Sequence, residues 1–222
     1  MIRFENVNKR FWSRQGQKVI ADDVNVTFPT GRAVGLMGRN GAGKTTLMQM
    51  IGGSVKPDSG IIHTTGTVSW TVGFAGSFNK DMTGAQNTKF IARVYGVDTQ
   101  DLCDFVEDFA ELGHHFHEPI RKYSAGMRSR LAFGVSIGIP FDTYLVDEVT
   151  SVGDAAFKRK SRVAFTERMK TAGAIVVTHS TRQLKLLCDA GAILENGRLT
   201  YYDDVEEAIA QHHANMGSDE DE

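Results

Sequence analysis

An α/β fold built on a mostly parallel sheet is what the sequence predicts, and three observations carry the prediction. Short apolar runs at AVGLM (33–37), TYLVD (143–147), AIVVT (174–178) and GAIL (191–194) are separated by helical stretches. Runs of that kind suit strands buried on both faces, and parallel neighbours need crossovers between them. A glycine-rich turn follows AVGLM directly and leads into a helical pattern at 44–51. The block from about 83 to 138 reads as all helical.

Taken in order, Val24, Val26 and Phe28 alternate with polar residues and mark a half-exposed strand ahead of the fully apolar AVGLM. KPDSG at 56–60 has the composition of a turn, and TVSWTVGF at 67–74 reads as a further strand. From Thr83 the period changes. Thr83 and Gln86 have capping-box spacing, and Leu102, Phe105, Val106, Phe109 and Leu112 recur at helical intervals. The organisation expected is one domain over residues 1–216, with a core of about 1–82 and 139–216 and a helical insert of about 83–138. The acidic tail GSDEDE at 217–222 has nothing to bury and is expected to be disordered.

A chain of 222 residues is long enough to bury roughly 70% of the surface its unfolded form exposes. Its 25 Lys and Arg against 27 Asp and Glu give a formal charge of −2, and most of the acidic excess sits in the tail. A body so near neutrality has no basic footprint for nucleic acid. Cys103 and Cys188 stand far apart without CxxC spacing, which fits a reducing compartment, and a cytoplasmic protein is the expectation. No apolar run approaches the ~18 residues of a membrane span, and MIRFENVNKRF lacks the apolar middle of a signal peptide.

GRNGAGKT, from Gly38 to Thr45, satisfies G-x-x-x-x-G-K-[ST] after a buried strand and before a helix, the context that pattern requires. Gly38, Gly41 and Gly43 let the backbone curl so that successive N–H groups point inward, with Arg39, Asn40 and Ala42 on the same loop. The following helix adds the positive end of its dipole, so a polyphosphate is held by main chain. Lys44 supplies a mobile charge for the outer phosphates, the Thr45 hydroxyl can enter the shell of a Mg²⁺, and Thr46 continues the helix opening. A plain glycine-rich turn with a solvated lysine is disfavoured by the flanking strand and helix. A dinucleotide loop is weaker still, because G-x-G-x-x-G needs glycine where Thr46 stands.

YLVDE places Asp147 and Glu148 at the end of an apolar strand. Asp147 suits the Mg²⁺ shell, and Glu148 suits positioning and deprotonating the water that attacks a γ-phosphate, a role worth typically about 10²–10⁴-fold in rate. Taken alone, a strand ending in solvated acids explains the pair equally well. His179, in VVTHS, stands at the end of another strand and can hydrogen-bond a γ-phosphate oxygen, although a lone histidine is more often structural.

YSAGMRSR at 123–130 opens a further helix, where the Ser124 hydroxyl and the next N–H groups form a second anion site around Gly126. Alone it is an ordinary helix cap. It becomes useful if two copies pack head to tail, each holding nucleotide between its own loop and its neighbour's Ser124 and Gly126. The order GRNGAGKT, YSAGM, YLVDE, SVGD, His179 resembles the nucleotide-binding subunit of an ABC transporter, over residues about 2 to 205. That resemblance implies a RecA-like P-loop ATPase core with an antiparallel β edge and a helical subdomain, ATP and Mg²⁺ as ligands, and a homodimer in the ATP-bound state.

By position, Phe11 matches the aromatic that stacks on adenine, with Trp12 as its neighbouring candidate and a core aromatic as the alternative. Asp154, in SVGD, matches the aspartate that contacts the other subunit. Two departures stand out. The signature usually reads LSGGQ, and Ala125 and Met127 replace a glycine and the glutamine. The glutamine expected after TVGFAGSF is absent, and Ser77 falls nearest its place.

Within the family, GRNGAGKTT, DMTGAQN, KFIARVYG, FVEDFAELG, YSAGMRSRLAFG and VDEVTSVGDAAFKRK are similar to the ATPase subunits that export capsular polysaccharide in Gram-negative bacteria. They resemble less closely those for O-antigen and teichoic acid, some of which carry a C-terminal carbohydrate-binding domain that this chain is expected to lack. The resemblance implies two copies on the cytoplasmic face of the bacterial inner membrane, docked near Phe74 to Met82 to a separate polytopic permease for a lipid-linked glycan. Membrane association would then be indirect. The competing reading is a soluble ABC-type switch ATPase, which commonly carries two such domains or a long coiled-coil insert. Two other stretches are expected to be solvated surface: HHFH at 114–117, for want of a distant ligand partner, and FKRK at 157–160.

Overall fold

Nine strands in two sheets and seven α-helices make up the described residues of the computed structural model, 1–13, 16–73, 76, 78–147 and 154–217. In the first sheet β1 (Ile2–Ser13) pairs antiparallel with β2 (Gly16–Phe28) on one side and β4 (Ser59–Thr64) on the other. The alternation at the end of β2 has the expected cause: Val24 and Phe28 point inward and are buried, and the Phe28 ring meets Phe4 edge-on at 5.6 Å. The KPDSG turn is cut short, because β4 already begins at Ser59.

The second sheet has the order β5 (Val68–Thr71), β6 (Thr143–Asp147), β7 (Gly173–Val177), β3 (Ala33–Met37), β8 (Ala190–Glu195), β9 (Arg198–Tyr202). Strands β6, β7, β3 and β8 run parallel, and β9 closes the edge as an antiparallel hairpin with β8. Every residue of β3 and β7 is buried, which is why those strands read as unbroken apolar runs. Strand β5 is shorter than the 67–74 expected from sequence: two residues after it ends, Gly73 takes a φ of 81°, a turn conformation that does not continue a strand. Helix α1 (Lys44–Ile51) buries Leu47, Met48, Met50 and Ile51 in the core shared by the two sheets.

Contacts divide the chain into two compact units, Met1–Ser69 with Phe141–Glu148 and Thr171–Glu222, and Trp70–Pro140 with Val149–Lys170. The first also carries α6 (Thr181–Leu187) and α7 (Val205–Gly217). The second is mainly helical. Helix α2 (Gly84–Tyr95) starts with the capping box read from sequence: Gln86 N donates to Thr83 Oγ1 at 3.0 Å and Thr83 N to Gln86 Oε1 at 2.9 Å. Helix α3 (Thr99–Ala110) is capped by Asp98, two short 3-10 turns occupy 113–117 and 120–122, and α4 (Ala125–Gly138) and α5 (Ala155–Met169) follow.

The core of this unit is aromatic. Phe109 lies 5.9 Å from Phe133 and 5.6 Å from Phe157, all three buried. Phe157 therefore departs from the solvated surface expected of FKRK, while Lys158 and Arg159 remain exposed. Phe105, on the predicted apolar stripe, is partly exposed. Both cysteines are buried and free. Among the described residues no helix is long and apolar enough to cross a membrane.

Candidate functional site

The loop between β3 and α1 is shaped by what its glycines avoid. A Cβ on Gly38, whose φ is 147°, would stand 2.3 Å from the Leu194 carbonyl oxygen on the neighbouring β8. On Gly43, with φ 110°, it would stand 2.7 Å from Ile20 Cγ2 of β2. The chain thus turns back through a gap that any other residue would have to widen. Gly43 is the N-cap of α1 and no side chain caps that helix, so its first amide groups are left to the loop's concave face. Lys44 Nζ donates to the Gly38 and Arg39 carbonyls at 2.6 and 3.0 Å. Burial lowers the Lys44 pKa, and the Asp147 carboxylate acts in the opposite direction.

A cavity of about 360 Å³ opens over this loop, and Asn40, Gly41, Gly43, Lys44, Thr45 and Thr46 line it together with Asp147 and His179. The sheet order brings the last two there. Strand β7 lies between β3 and β6 and all three run parallel, so Asp147 at the end of β6 and His179 just beyond the end of β7 arrive at the same edge as the loop. Arg39 is exposed on the loop and Ala42 packs partly against the core.

Thr45 Oγ1 and Asp147 Oδ2 are 3.5 Å apart. Adjacent ligands of an octahedral Mg²⁺ with bonds of 2.0–2.1 Å are separated by about 3 Å. A hydroxyl and a carboxylate oxygen, both hard donors, therefore fit a Mg²⁺ ion with a small adjustment.

Lys18 is a residue that motif reasoning missed. It projects from β2 into the same cavity, and a Cβ on Gly41 would lie 3.8 Å from its Nζ. In sequence it is a polar residue on an exposed strand, and only the fold brings it over the loop. Phe11 of β1 pairs in register with Lys18, is 43% exposed and carries Lys9 Nζ 5.0 Å from its ring centroid, so it is not a core aromatic. Trp12, next along the strand, is 80% exposed. Glu148 and Ser77 lie outside the described residues.

The second unit holds a separate site. Ser124 is the N-cap of α4, its Oγ accepting from Met127 N at 3.2 Å, and a Cβ added at Gly126 would meet nothing closer than Ser124 Oγ at 3.8 Å. Ser124, Gly126, Arg130, Asp154 and His115 line a cavity of about 450 Å³. Asp154 caps α5 through Ala156 N at 3.0 Å and Phe157 N at 2.9 Å, and it binds the Arg130 guanidinium. Those contacts, the Phe157 amide foremost, hold its carboxyl below the usual range. Arg130 is the second residue missed: within the run MRSRLAFG nothing marks it, yet it lines a cavity that already has a helix N-terminus and the capping hydroxyl of Ser124.

Residues 21–151 match the family described as ABC transporter. The chain is 46% identical over 215 residues to the polysialic acid transport ATP-binding protein KpsT of Escherichia coli, covering 96% of each. It is 40% identical over 208 residues to the capsule polysaccharide export ATP-binding protein CtrD of Neisseria meningitidis serogroup B, covering 94% of this chain and 96% of that one. In fold it is similar to the ATP-binding cassette MJ0796 in a dimeric post-hydrolysis state bound to ADP and Pi, with TM-score 0.75 at 19% identity over 92% of this chain and 99% of that one.

Proposed function

Because the chain belongs to the ABC transporter family, as an ATP-binding ATPase, we propose that it powers export of a capsular polysaccharide through a separate membrane permease. Two copies would act together on the cytoplasmic face of the bacterial inner membrane. The observation that carries this reading is the presence of two cavities in one chain, each at the start of a helix. One lies over the phosphate loop in the first unit, and the other lies at the start of α4 in the second. A single nucleotide held by one protomer's loop leaves that protomer's Ser124 site for a neighbour's γ-phosphate.

In this mechanism the loop amides from Gly38 to Thr46 and the Lys44 ammonium hold the β- and γ-phosphates, while Phe11 stacks on the adenine. Thr45 and Asp147 would hold Mg²⁺, which when bound neutralises charge on the phosphate oxygens. Glu148 orients the attacking water and accepts its proton as the new O–P bond forms and the bond to ADP breaks. His179 donates to the γ-phosphate and loses that partner once phosphate departs. Ser124 and Gly126 of the second protomer close over the same phosphate, Asp154 contacts the opposite protomer, and Ser77 falls nearest in sequence to the place of the usual glutamine. ATP therefore favours the closed pair and hydrolysis the open one, and that difference in affinity moves the permease.

Glu148→Gln is expected to abolish steady-state ATPase activity and to leave an ATP-bound dimer on size exclusion in Mg²⁺ and ATP. Lys44→Ala is expected to weaken nucleotide binding, measured by fluorescent-nucleotide titration. A Glu148→Gln protein that elutes as a monomer under saturating ATP counts against the paired arrangement. Co-purification with a membrane protein of about six apolar spans, about 20 residues each, tests the export assignment itself.

A further inference from the structure

We propose that the 3-10 turn at 113–117, together with Glu118, is a binding site for a divalent transition cation of the Zn²⁺ class. The HHFH run lacks a distant partner in sequence, and solvated histidines were the expectation. The fold supplies the partner from three residues beyond His115. One ring nitrogen each of His114 and His115 and one carboxylate oxygen of Glu118 lie within 4.8 Å of one another.

The turn type explains the convergence. In a 3-10 helix the side chains at i and i+3 eclipse, and His115 and Glu118 stand in that relation, with Nδ1 and Oε2 2.9 Å apart. The His114 ring lies against His115 with centroids 4.0 Å apart. The backbone beneath them is fixed from three sides. Phe116 is buried at 1% exposure, Tyr123 Oη donates to the His115 carbonyl at 2.6 Å, and Glu118 N donates to the same carbonyl at 2.8 Å. The two histidines and Glu118 stay on the accessible side of that anchored turn, with His115 and Glu118 side chains 41% and 32% exposed, so an ion can reach them.

The donor set selects the cation. Two imidazoles and one carboxylate, with a fourth position left to water, are a tetrahedral set for Zn²⁺ or Co²⁺, whereas Mg²⁺ and Ca²⁺ prefer oxygen ligands throughout. With metal–ligand bonds of 2.0–2.2 Å, tetrahedral neighbours stand about 3.4 Å apart. Closing the widest separation needs at most about 1.4 Å of movement, which exposed His114 can supply by rotating. The site lies in the helical unit, and His115 also lines the Ser124 cavity, so a bound ion would add positive charge to that wall.

The test is a Co²⁺ titration of the untagged, nucleotide-free chain, followed by visible d–d absorption and reversed by Zn²⁺. One equivalent is expected to bind. His115→Ala and Glu118→Gln should each weaken binding at least about tenfold, and His114→Gln should do the same from a more exposed position. His63→Ala, which removes a histidine paired with Glu5 in the other unit, should leave the titration unchanged. Thermal melts in chelator establish that each variant is folded. Wild-type protein that takes up no Co²⁺ at micromolar concentration overturns the proposal, as do folded His115 and Glu118 variants that bind as tightly as wild type.

Discussion

Ser124 illustrates how one side chain can hold two roles that a single substitution would confuse. Its Oγ caps α4 through Met127 N, so Ser124→Ala removes a helix cap worth about 1 kcal/mol whatever else the hydroxyl touches. For a chain of this size that corresponds to a fall in Tm of about 2–4 °C. Ser124→Asp keeps a capping oxygen but sets a negative charge where a phosphate is proposed to bind. Thermal melts should therefore separate the variants, Ala low and Asp near wild type, whereas ATPase assays should find both impaired. An active Ser124→Asp protein would refute an anion role for this site. The same scale marks the limit of sequence reading. Gly38, Lys44, Thr45, Asp147 and His179 belong to patterns whose spacing states their chemistry, and the fold gathers them at one sheet edge. Lys18 and Arg130 belong to no pattern, because strand pairing and helix packing alone bring them to their cavities.

Elements were legible where their ends are written in side chains or where burial is complete. The capping box at Thr83 and Gln86 and the unbroken apolar runs of β3 and β7 are local facts. Strand β4 shows the opposite case: its burial hardly alternates along an exposed edge, so periodicity has nothing to detect. Helix α7 carries a consequence of packing that no pattern announces. Its His212 and Ile209 line a cavity of about 120 Å³ behind the phosphate loop, with Lys44 and His179 on the wall, and His212 Nδ1 is buried without a hydrogen-bond partner. Burial lowers the His212 pKa from the ordinary 6.5, the charges of His213 and Lys44 lower it further, and Glu195 opposes them. The unfolded chain then binds a proton at this position more readily than the folded one does. Stability from this source is present above about pH 6.5 and is lost as the pH falls toward the lowered folded value. Replacing the titrating ring should flatten that response: between pH 7.5 and 5.5, urea midpoints should fall less for His212→Gln than for wild type. Equal slopes would remove His212 from the account.

At the scale of the whole molecule, the question is whether the loop cavity and the Ser124 cavity serve one nucleotide within a chain or across two chains. Their assignment to separate compact units makes the question testable without any further structure. A Lys44→Ala protomer lacks a working loop but keeps its Ser124 site, and a Ser124→Asp protomer has the reverse defect. Each alone is expected to be inactive, since every pair it forms has two damaged sites. In a two-fold symmetric pair of one protomer of each kind, both defects fall on the same nucleotide site and the other site is intact. Equal mixing makes half of the pairs mixed, so about a quarter of the wild-type sites should be whole. Steady-state ATPase activity of the mixture should rise from background toward that fraction, and it should rise with total protein concentration because pairing is bimolecular. If each chain instead completed its own site, the mixture would show only the sum of two inactive proteins at every ratio, since no combination of protomers could then assemble a loop and a serine cap that are both sound.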